Sequence, residues 1–435
     1  MKYFQPELET MSAADRRALQ SERLVSTVKY VYERQKPYRE KMDAIKLRPS
    51  DIKGIEDIWK LPYTQKSDLR NSYPFGMMAA TRKELVRLHA SSATTGKLTV
   101  SGYTKHDIDV WADCAARSLV MAGADEESIV HVCYGYGLFT GGLGMHYGAE
   151  KLGAIAVPAS AGNTQRQLQL LADFGADIIC CTPSYAIYLI EEMEKAGLKP
   201  GRDIKLKGGC FGAEAWTEEM RAEIERRLGI RACDIYGLSE ISGPGVANDC
   251  EYKTGMHFQD DHYFPEVVDT ETLEPLPMGE RGELVITTLD RTGMPLIRYR
   301  TRDIAALDDT PCPCGRTTIR MKRITGRSDD MLIIRGVNVF PSQIESILLK
   351  DPYVQPHYHI NVDRVNNLDT LEIVVELSPD AMSDTMSEIE AIRSRLSAEM
   401  ASGISVTAKI TLVSPGTIER SEGKSKRITD RRKIK

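Results

Sequence analysis

The regular alternation of short apolar runs with longer amphipathic segments, between residues 104 and 235, limits the fold more than any other feature. The apolar runs have the length of buried strands, and the segments between them have the length and periodicity of helices. Such alternation indicates crossover connections and a mostly parallel sheet covered by helices on both faces. The sequence therefore predicts an α/β fold, with strands at residues 128–133, 154–157, 177–181, 204–207 and 231–235.

Capping signals predict where several helices begin and end. Ser12-Ala-Ala-Asp15 and Thr104-Lys-His-Asp107 each place a hydroxyl three residues before a carboxylate, which is the pattern of a capping box. Thr64 is predicted as the N-cap of a short helix over residues 65–70, and Gly153 as the residue that closes a helix ending at Leu152. Helices are also predicted over residues 164–174, 183–195 and 217–228.

A polar stretch at residues 325–330 separates this region from a second set of elements. After it, the pattern predicts a helix over residues 341–349, strands over 357–362 and 371–377, a helix over 384–400 and a strand over 406–413. About a hundred residues are enough for a small domain. We therefore expect a large N-terminal domain over residues 1–326 and a small C-terminal α/β domain over residues 327–435.

Composition excludes some classes of protein. The chain has 435 residues, 42% of them hydrophobic, and a net charge of −5, which argues against a general nucleic-acid or membrane-surface protein. No apolar run approaches the ~18 residues of a membrane-spanning helix, and the first residues lack the apolar core of a signal peptide. We therefore expect a cytoplasmic protein with no nucleic-acid or membrane partner. Nine cysteines in such a chain do not favour a disulfide framework.

The run His89-Ala-Ser-Ser-Ala-Thr-Thr-Gly-Lys97 is rich in hydroxyl groups and ends in a lysine. It lies between apolar runs at residues 85–88 and 98–103, so it is predicted to be a tight loop between two strands. Backbone N–H groups, hydroxyls and one ammonium group suit the oxygens of a polyphosphate. The spacing is not that of a P-loop, and a flexible surface loop is the alternative.

Three further loops follow predicted strands and are expected at the carboxyl edge of the sheet, where ligands bind in such folds. These loops are Tyr134-Gly-Tyr-Gly-Leu-Phe-Thr-Gly-Gly142, Gly209-Cys-Phe-Gly-Ala-Glu-Ala215 and Tyr236-Gly-Leu-Ser-Glu240. Glycine-rich turns allow close approach of a ligand, and aromatic rings offer stacking surfaces. The carboxylate of Glu240 could hold a phosphate-bound Mg²⁺ ion. Any one of these loops alone could be ordinary turn chemistry.

Cysteine spacing suggests a metal site. Cys312-Pro-Cys314 lies in a Pro/Gly turn, and Cys250 and His257 could complete four tetrahedral ligands for Zn²⁺. His262 competes with His257 for the fourth position, and four free side chains are the alternative. Four protein ligands leave no open position for chemistry, so such a site would be structural.

Several motifs occur in the order found in acyl-adenylate-forming enzymes. They are the run from Ser91 to Lys97, Tyr236-Gly-Leu-Ser-Glu240, Tyr299-Arg-Thr-Arg-Asp303, Gly326-Arg-Ser-Asp-Asp330 and the segment from Gly416 to Lys424. More closely, residues 297–303 and 327–341 resemble the phenylacetate-CoA ligases, and the resemblance spans nearly the whole chain. It implies ATP-dependent activation of a carboxylate to an acyl-adenylate, followed by transfer of the acyl group to coenzyme A. It also implies Mg²⁺, a homodimer and a part in the degradation of aromatic acids.

The resemblance implies roles for individual residues. Glu240 would bind Mg²⁺, Asp303 would accept hydrogen bonds from the ribose with Arg327 beside it, and Lys424 would stabilise charge on the α-phosphate. The remaining positions expected to bind ATP or AMP are Ser91, Ser92, Thr94, Thr95, Gly96, Lys97, Gly212, Ala213, Glu214, Asp234, Tyr236, Gly237 and Ser239. Without the resemblance, Asp303 would be an ordinary partner for the neighbouring arginines, and Lys424 part of a basic terminus.

The same resemblance implies that the C-terminal domain rotates about a hinge at Asp329 between the two half-reactions. Arg335 and Gly336 would then line the coenzyme A site. An aromatic acid, with phenylacetate as the leading hypothesis, would bind among Tyr134, Tyr136, Phe139 and Gly141. An indole acid or a benzoate is also possible.

Two residues of the phosphate loop region depart from the family pattern. The phosphate loop has Ala93 where related proteins carry Gly, and Leu98 where Pro is usual; if position 93 needs positive φ, alanine costs roughly 1 kcal/mol.

An enzyme that passes the acyl group to a carrier other than coenzyme A would share every adenylation motif. The alternative from another class is a zinc-containing nucleic-acid-binding protein, suggested by the basic tail and the cysteines and opposed by the acidic net charge.

Overall fold

The computed structural model describes residues 2–91, 98–328, 332–335, 337–365, 368–383, 386–421 and 425–432. Its backbone packing divides the chain into two compact units. The first unit contains Met1–Cys181, Gly201–Ala213 and Ile230–Arg323. The second contains Thr182–Pro200, Glu214–Gly229 and Ile324–Lys435, so two helices from the middle of the chain belong to the same unit as the C-terminal region.

Regular elements cover most of both units. The helices are α1 Pro6–Glu9, α2 Ala13–Arg34, α3 Lys36–Ala44, α4 Lys66–Asn71, α5 Lys105–Met121, α6 Gly141–Leu152, α7 Thr164–Phe174, α8 Pro183–Lys195, α9 Glu218–Leu228, α10 Pro341–Leu348 and α11 Met386–Ile404. Short 3₁₀ turns lie at Pro49–Asp51, Ile55–Lys60 and Asp380–Ser383.

The strands up to residue 258 are β1 Leu85–Ser91, β2 Thr99–Thr104, β3 Ile129–Val132, β4 Ile155–Val157, β5 Ile178–Cys181, β6 Gly208–Gly212, β7 Arg231–Leu238, β8 Gly243–Asp249 and β9 Met256–Phe258. The later strands are β10 Tyr263–Val268, β11 Gly282–Thr288, β12 Tyr299–Ala305, β13 Leu307–Asp308, β14 Arg320–Met321, β15 Gly326–Arg327, β16 Leu332–Ile334, β17 Val337–Val339, β18 Val354–Val365, β19 Leu368–Leu377, β20 Lys409–Val413 and β21 Ile428–Asp430.

A nine-stranded sheet forms the centre of the first unit, in the order β13-β14-β9-β8-β7-β6-β5-β3-β4. Strands β4, β3, β5, β6 and β7 run parallel, which confirms the predicted α/β fold. Strands β8, β9, β14 and β13 extend this parallel region with antiparallel pairs that the sequence pattern did not predict. A second sheet in this unit pairs β10, β11 and β12 antiparallel, and β1 and β2 form a two-stranded ribbon.

The prediction of a strand at residues 204–207 is wrong, because β6 instead spans Gly208–Gly212. A Cβ atom on Gly208 would lie 2.2 Å from the carbonyl oxygen of Ala122, and one on Gly209 would lie 2.7 Å from that of Ile179. These positions tolerate no side chain, since the backbone of the strand packs directly against its neighbours. A run of glycines that looks like a loop in the sequence is therefore a central strand.

Most predicted caps are confirmed. The side chains of Ser12 and Thr104 accept hydrogen bonds at the starts of α2 and α5, and Gly153 ends α6 with φ of 88°. The predicted cap at Thr64 is wrong by one residue, because Gln65 precedes α4. Thr64 instead pairs with a neighbouring strand, donating its N–H to the carbonyl of Arg298.

The second unit has its own sheet, in the order β20-β19-β18-β21, which packs with α10 and α11 around a separate apolar core. Central residues of this core are Ile344, Ile360, Ile373 and Leu396, all completely buried. Strands β18 and β19 are longer than predicted, while α11 begins near the predicted position and ends four residues later. In the part of the chain that the structure describes, none of the helices has the length and apolar character needed to cross a membrane.

Candidate active site

Two strands bring Tyr236 and Asp303 together. Tyr236 lies in β7 of the large sheet and Asp303 in β12 of the second sheet, and the tyrosine hydroxyl donates a 2.6 Å hydrogen bond to the carboxylate. Both side chains are buried. The backbone N–H of Asp303 donates to the hydroxyl of Thr301, which fixes the strand at that position. The sequence placed these residues in separate motifs, and the fold places them in direct contact.

Glu240 lies just beyond the end of β7 and is 4% exposed. Its carboxylate accepts a 3.1 Å hydrogen bond from the hydroxyl of Ser91 and forms a 3.1 Å ion pair with the ammonium group of Lys66. The guanidinium of Arg291 donates to the backbone carbonyls of Glu240 and Ile241, so the turn that carries the carboxylate is also held in place. Lys66 was not predicted as a site residue, because no sequence motif connects α4 with a residue so distant in the chain.

The predicted phosphate loop lies between two paired strands, as expected. Ser91 ends β1 opposite Thr99 of β2, and the two strands pair antiparallel. Ser92, Ala93, Thr94, Thr95, Gly96 and Lys97 lie outside the described residues. The ribbon is attached to the loop that precedes α6, because the N–H of Ala90 and the ring of His89 both hydrogen-bond to the carbonyl of Leu138. Burial lowers the pKa of His89, which therefore favours the neutral ring.

The predicted adenine-binding residues lie at the ends of β6 and β7. Gly212 ends β6, and a Cβ atom there would meet the carbonyl oxygen of Ile235 at 2.1 Å. Ala213 follows with φ of 71°, a conformation that alanine adopts at a cost. In β7, a Cβ atom on Gly237 would lie 1.6 Å from the carbonyl oxygen of Gly243. Both glycines are therefore required by close backbone packing.

Asp234 lies in the middle of β7, and Ser239 directly follows the end of that strand. Asp234 is buried in β7, and its backbone N–H donates to the carboxylate of Asp249. The hydroxyl of Ser239 lies 3.3 Å from that of Thr140, beside the start of α6. The hydroxyl of Tyr103 donates to the backbone carbonyl of Ser239 at 3.0 Å. Ser239 is therefore connected both to the ribbon and to the loop before α6.

Within the second unit, the carboxylate of Glu214 is used by two backbone groups. One oxygen accepts the N–H of Ser184 at 2.7 Å, at the start of α8, and the other accepts the N–H of Ser425 at 3.1 Å. Lys424 lies outside the described residues, next to Ser425. Glu214, which the resemblance assigned to the nucleotide, therefore also anchors the chain directly after Lys424.

Arg420 anchors the chain on the N-terminal side of Lys424. Its guanidinium pairs with Glu376 of β19 at 2.8 Å and with Glu191 of α8 at 3.1 Å. His357 of β18 lies 2.5 Å from Glu191, so the acid bridges two basic partners. Burial acts to raise the pKa of Glu191, but His357 and Arg420 outweigh it and lower this pKa overall. This half-buried network was not predicted, because its members come from four separate segments.

The predicted acyl-pocket residues differ in their surroundings. The hydroxyl of Tyr134 donates to the carbonyls of Cys181 and Cys210, at 2.7 and 3.3 Å, so this ring is packed in the core. Tyr136 is half-buried and its hydroxyl lies 3.4 Å from Nδ1 of His146. Phe139 is 59% exposed. Gly141 begins α6, where a Cβ atom would lie 3.0 Å from the Tyr134 side chain.

The remaining predicted positions lie in the second unit. Arg327 is in β15 and is half-buried. Arg335 has φ of 51°, and its guanidinium donates to the carbonyl of Asp369 at 2.8 Å and to the hydroxyl of Thr407 at 2.9 Å. The predicted hinge residue Asp329 and the predicted coenzyme A residue Gly336 lie outside the described residues.

The four predicted metal ligands come together. The ligand atoms of Cys250, His257, Cys312 and Cys314 all lie within 4.8 Å of one another, and all four side chains are buried. His262, the other candidate, lies elsewhere and pairs with Asp261 at 3.1 Å and with Asp290 at 3.2 Å. The geometry therefore selects His257 as the histidine of the cluster.

Comparison with known proteins identifies the family of the chain. Residues 102–289 match the model of the AMP-binding enzyme family, and residues 336–432 match that of the AMP-binding enzyme C-terminal domain. The phenylacetate-coenzyme A ligase of Thermus thermophilus is 50% identical over 99% of this chain and 100% of its own length. The phenylacetate-coenzyme A ligase of Aromatoleum evansii is also 50% identical, over 98% of this chain and 96% of its own.

Solved structures show the same fold. A 2-hydroxyisobutyryl-CoA ligase, determined in the postadenylation state with R3-HIB-AMP, superimposes with a TM-score of 0.93 at 30% identity, covering 99% of this chain and 93% of that one. These comparisons do not support the alternative of a zinc-containing nucleic-acid-binding protein. The ordered motifs, the contact between Tyr236 and Asp303 and the full-length similarity lead to one conclusion: the chain belongs to the phenylacetate-CoA ligase family of AMP-binding enzymes.

Proposed function

We propose that this protein is an ATP-dependent phenylacetate-CoA ligase. In the proposed reaction, phenylacetate attacks the α-phosphate of ATP to give phenylacetyl-adenylate and diphosphate. The thiol of coenzyme A then displaces AMP to give phenylacetyl-CoA. The hydrogen bonds from Ser91 to Glu240 and from Tyr236 to Asp303 carry the nucleotide part of the proposal. They provide oxygen ligands for a phosphate-bound cation and a carboxylate suited to ribose hydroxyls.

Adenylyl transfer needs alignment of the reactants and stabilisation of charge more than covalent help from the protein. In our proposal, Asp303 accepts hydrogen bonds from the ribose while Tyr236 holds its carboxylate in one orientation. The hydroxyl and backbone groups at residues 91–97 would hold the β- and γ-phosphates, with Lys97 contributing a positive charge. Gly212 and Ala213 would lie along the adenine ring, and at Gly212 the backbone of Ile235 leaves no space for a side chain.

The surroundings of Glu240 fit a Mg²⁺ ion. Its carboxylate is buried and held by Ser91 and Lys66, and carboxylate and hydroxyl oxygens are ligands that Mg²⁺ accepts. When bound, the ion would neutralise negative charge on the phosphates. Lys66 fixes the carboxylate and places a second positive charge beside the same position.

The second half-reaction needs different groups at the acyl carbon, so we propose that residues 327–435 reorient about Asp329 between the two steps. Lys424 would act in the first step, where charge grows on the α-phosphate. Arg335 and Gly336 would contact coenzyme A in the second. Three acidic residues, Glu214, Glu191 and Glu376, hold Ser425 and Arg420 on either side of the segment that contains Lys424.

Tyr136, Phe139 and Gly141 are the proposed contacts of the aromatic ring, with Tyr134 supporting them from the core. We also propose Mg²⁺ dependence, a homodimer and a cytoplasmic location. The Cys/His cluster takes no part in the proposed reaction, because four protein ligands leave no open position on a bound Zn²⁺ ion.

A panel of acids tests the substrate. Thioester formation would be measured by mass spectrometry with phenylacetate, benzoate, an indole acid and aliphatic acids, each with ATP, Mg²⁺ and coenzyme A. We expect the highest kcat/KM with phenylacetate. A preference for another aromatic acid would correct the substrate within the same reaction, whereas turnover of aliphatic acids alone would contradict the aromatic pocket.

A further inference from the structure

Two ligand-to-ligand distances in the cluster of Cys250, His257, Cys312 and Cys314 match those of a tetrahedral metal site. A tetrahedral Zn²⁺ ion with bonds of about 2.3 Å to sulfur and about 2.0 Å to nitrogen separates neighbouring ligand atoms by roughly 3.5–3.8 Å. The sulfur atoms of Cys250 and Cys312 are 3.7 Å apart, and the sulfur of Cys314 lies 3.4 Å from Nε2 of His257. We propose that the cluster binds one structural Zn²⁺ ion.

The groups around the ligands also suit a metal. Nδ1 of His257 lies 2.9 Å from the hydroxyl of Thr318, a contact that leaves Nε2 directed toward the three sulfur atoms. Metal-binding histidines commonly use their second nitrogen in this way, which fixes the ring orientation. The backbone N–H of Arg316 donates to the sulfur of Cys314 at 3.4 Å, and such a donor stabilises a thiolate ligand. Gly315 allows the tight turn, with φ of 88°.

The cluster joins segments that are distant in the chain. Cys250 directly follows β8, His257 lies in β9, and Cys312 and Cys314 lie in the turn after β13, so a bound ion would fasten the antiparallel edge of the large sheet. Without an ion, the three buried thiols and the buried imidazole would have few good hydrogen-bond partners, because thiols form only weak hydrogen bonds.

The same ion would anchor the first residues of the chain. The hydroxyl of Tyr3 donates to the carbonyl of Cys314 at 2.8 Å. Arg316 donates to the carbonyl of Lys2 at 2.8 Å and pairs with the carboxylate of Glu9 at 2.6 Å, and both partners of that ion pair are buried. The turn that supplies two metal ligands is therefore also the surface on which residues 2–9 are held. Loss of the metal should loosen both segments together.

Metal analysis of the full chain tests the proposal. Protein purified without an affinity tag or a metal column should contain about one Zn²⁺ per chain by inductively coupled plasma mass spectrometry, as expected for a closed four-ligand site. Replacement by Co²⁺ should give the intense visible absorption of a tetrahedral cobalt–thiolate centre. Hydrogen exchange of residues 2–9 and 312–316 should accelerate after chelation, while exchange in β18 and β19 should not change.

Two variants and one control separate metal binding from general loss of structure. C312S and C314S should each lower the zinc content at least tenfold, whereas C133S should retain it, because Cys133 is a buried thiol outside the cluster whose sulfur donates to Gln167. If the variants do not fold, the cobalt spectrum of the unmodified protein still decides the question. Absence of zinc from the unmodified protein together with no cobalt–thiolate absorption would overturn the proposal, as would full zinc retention by C314S. None of these measurements depends on ligase activity.

Discussion

The hydroxyl of Tyr236 donates a 2.6 Å hydrogen bond to Asp303, which lies 67 positions later in the chain and in another sheet. The contact joins the end of the parallel region to β12 and orients the carboxylate that we assign to the ribose. Removal of the hydroxyl leaves a buried carboxylate with one fewer donor, and hydrogen bonds to charged groups contribute about 1.5–3 kcal/mol. The strength of ATP binding should therefore depend on this tyrosine.

We expect Tyr236→Phe to raise the KM for ATP by about tenfold or more, which corresponds to about 1.4 kcal/mol, while the KM for coenzyme A changes little. Steady-state kinetics with each substrate varied in turn would measure both values. Tyr38→Phe is a matched control, because its hydroxyl donates to the carbonyl of Pro62, away from this site. An unchanged KM for ATP in Tyr236→Phe would contradict the ribose assignment of Asp303.

Lys66 gives a second test, because it pairs with Glu240 although no motif identified it. Lys66→Met should raise the KM for MgATP by about tenfold, since it removes a positive charge beside the proposed phosphate position and a partner of a buried carboxylate. The control is Lys60→Met, which breaks an ion pair with Asp57 in a 3₁₀ turn. Equal effects of the two substitutions would show that Lys66 has no particular part in nucleotide binding.

The proposed role of Lys424 predicts that its removal slows the first half-reaction more than the second. Lys424→Ala should lower formation of the acyl-adenylate by about a hundredfold or more, because it removes charge stabilisation at the α-phosphate. Conversion of supplied phenylacetyl-adenylate to the thioester should continue at near the normal rate. Lys426→Ala, which removes an exposed lysine two positions later, should affect neither step. Equal loss of both steps in Lys424→Ala would argue for a general structural role.

Acid stability can be predicted from His131, which is buried in β3 and hydrogen-bonds to Gln167 at 2.6 Å. Burial lowers its pKa in the folded protein, whereas the unfolded chain has a value of about 6.5. The unfolded state therefore binds the proton more readily, and this residue contributes a loss of stability as the pH falls below about 6.5.

His131→Gln should make the free energy of unfolding less dependent on pH between 7.5 and 5.5, because glutamine keeps a donor for Gln167 but does not titrate. Urea unfolding at the two pH values would measure the difference. The unmodified protein should lose more stability on acidification than the variant does. A larger loss in His131→Gln would contradict the neutral, buried state of His131.

Local patterns in the sequence were sufficient for the α/β class, most helices and their caps. Ser12, Thr104 and Gly153 act as predicted because capping depends on neighbours within a few residues. The strand prediction at residues 204–207 is wrong because the position of the strand depends on residues that are distant in the sequence. Gly208 and Gly209 form a central strand because residues far away in the chain, Ala122 and Ile179, pack against their backbone.

In the candidate site, too, sequence motifs identified individual residues, whereas long-range contacts needed the structure. The family motifs identified Tyr236, Glu240 and Asp303, but the contacts among the motifs were visible only in the fold. Lys66 had no sequence signal, since its partner lies in a distant loop. The metal cluster could be proposed from the Cys-x-Cys turn, while the choice between His257 and His262 needed three-dimensional distances.

The most direct test of the proposed function is release of AMP from ATP in the presence of phenylacetate and Mg²⁺, measured with and without coenzyme A. We predict sustained AMP release only when coenzyme A is present, with one phenylacetyl-CoA formed for each AMP. Diphosphate exchange without thioester formation would indicate another acyl acceptor. Absence of both AMP release and diphosphate exchange with phenylacetate would contradict the assignment of this chain as a phenylacetate-CoA ligase.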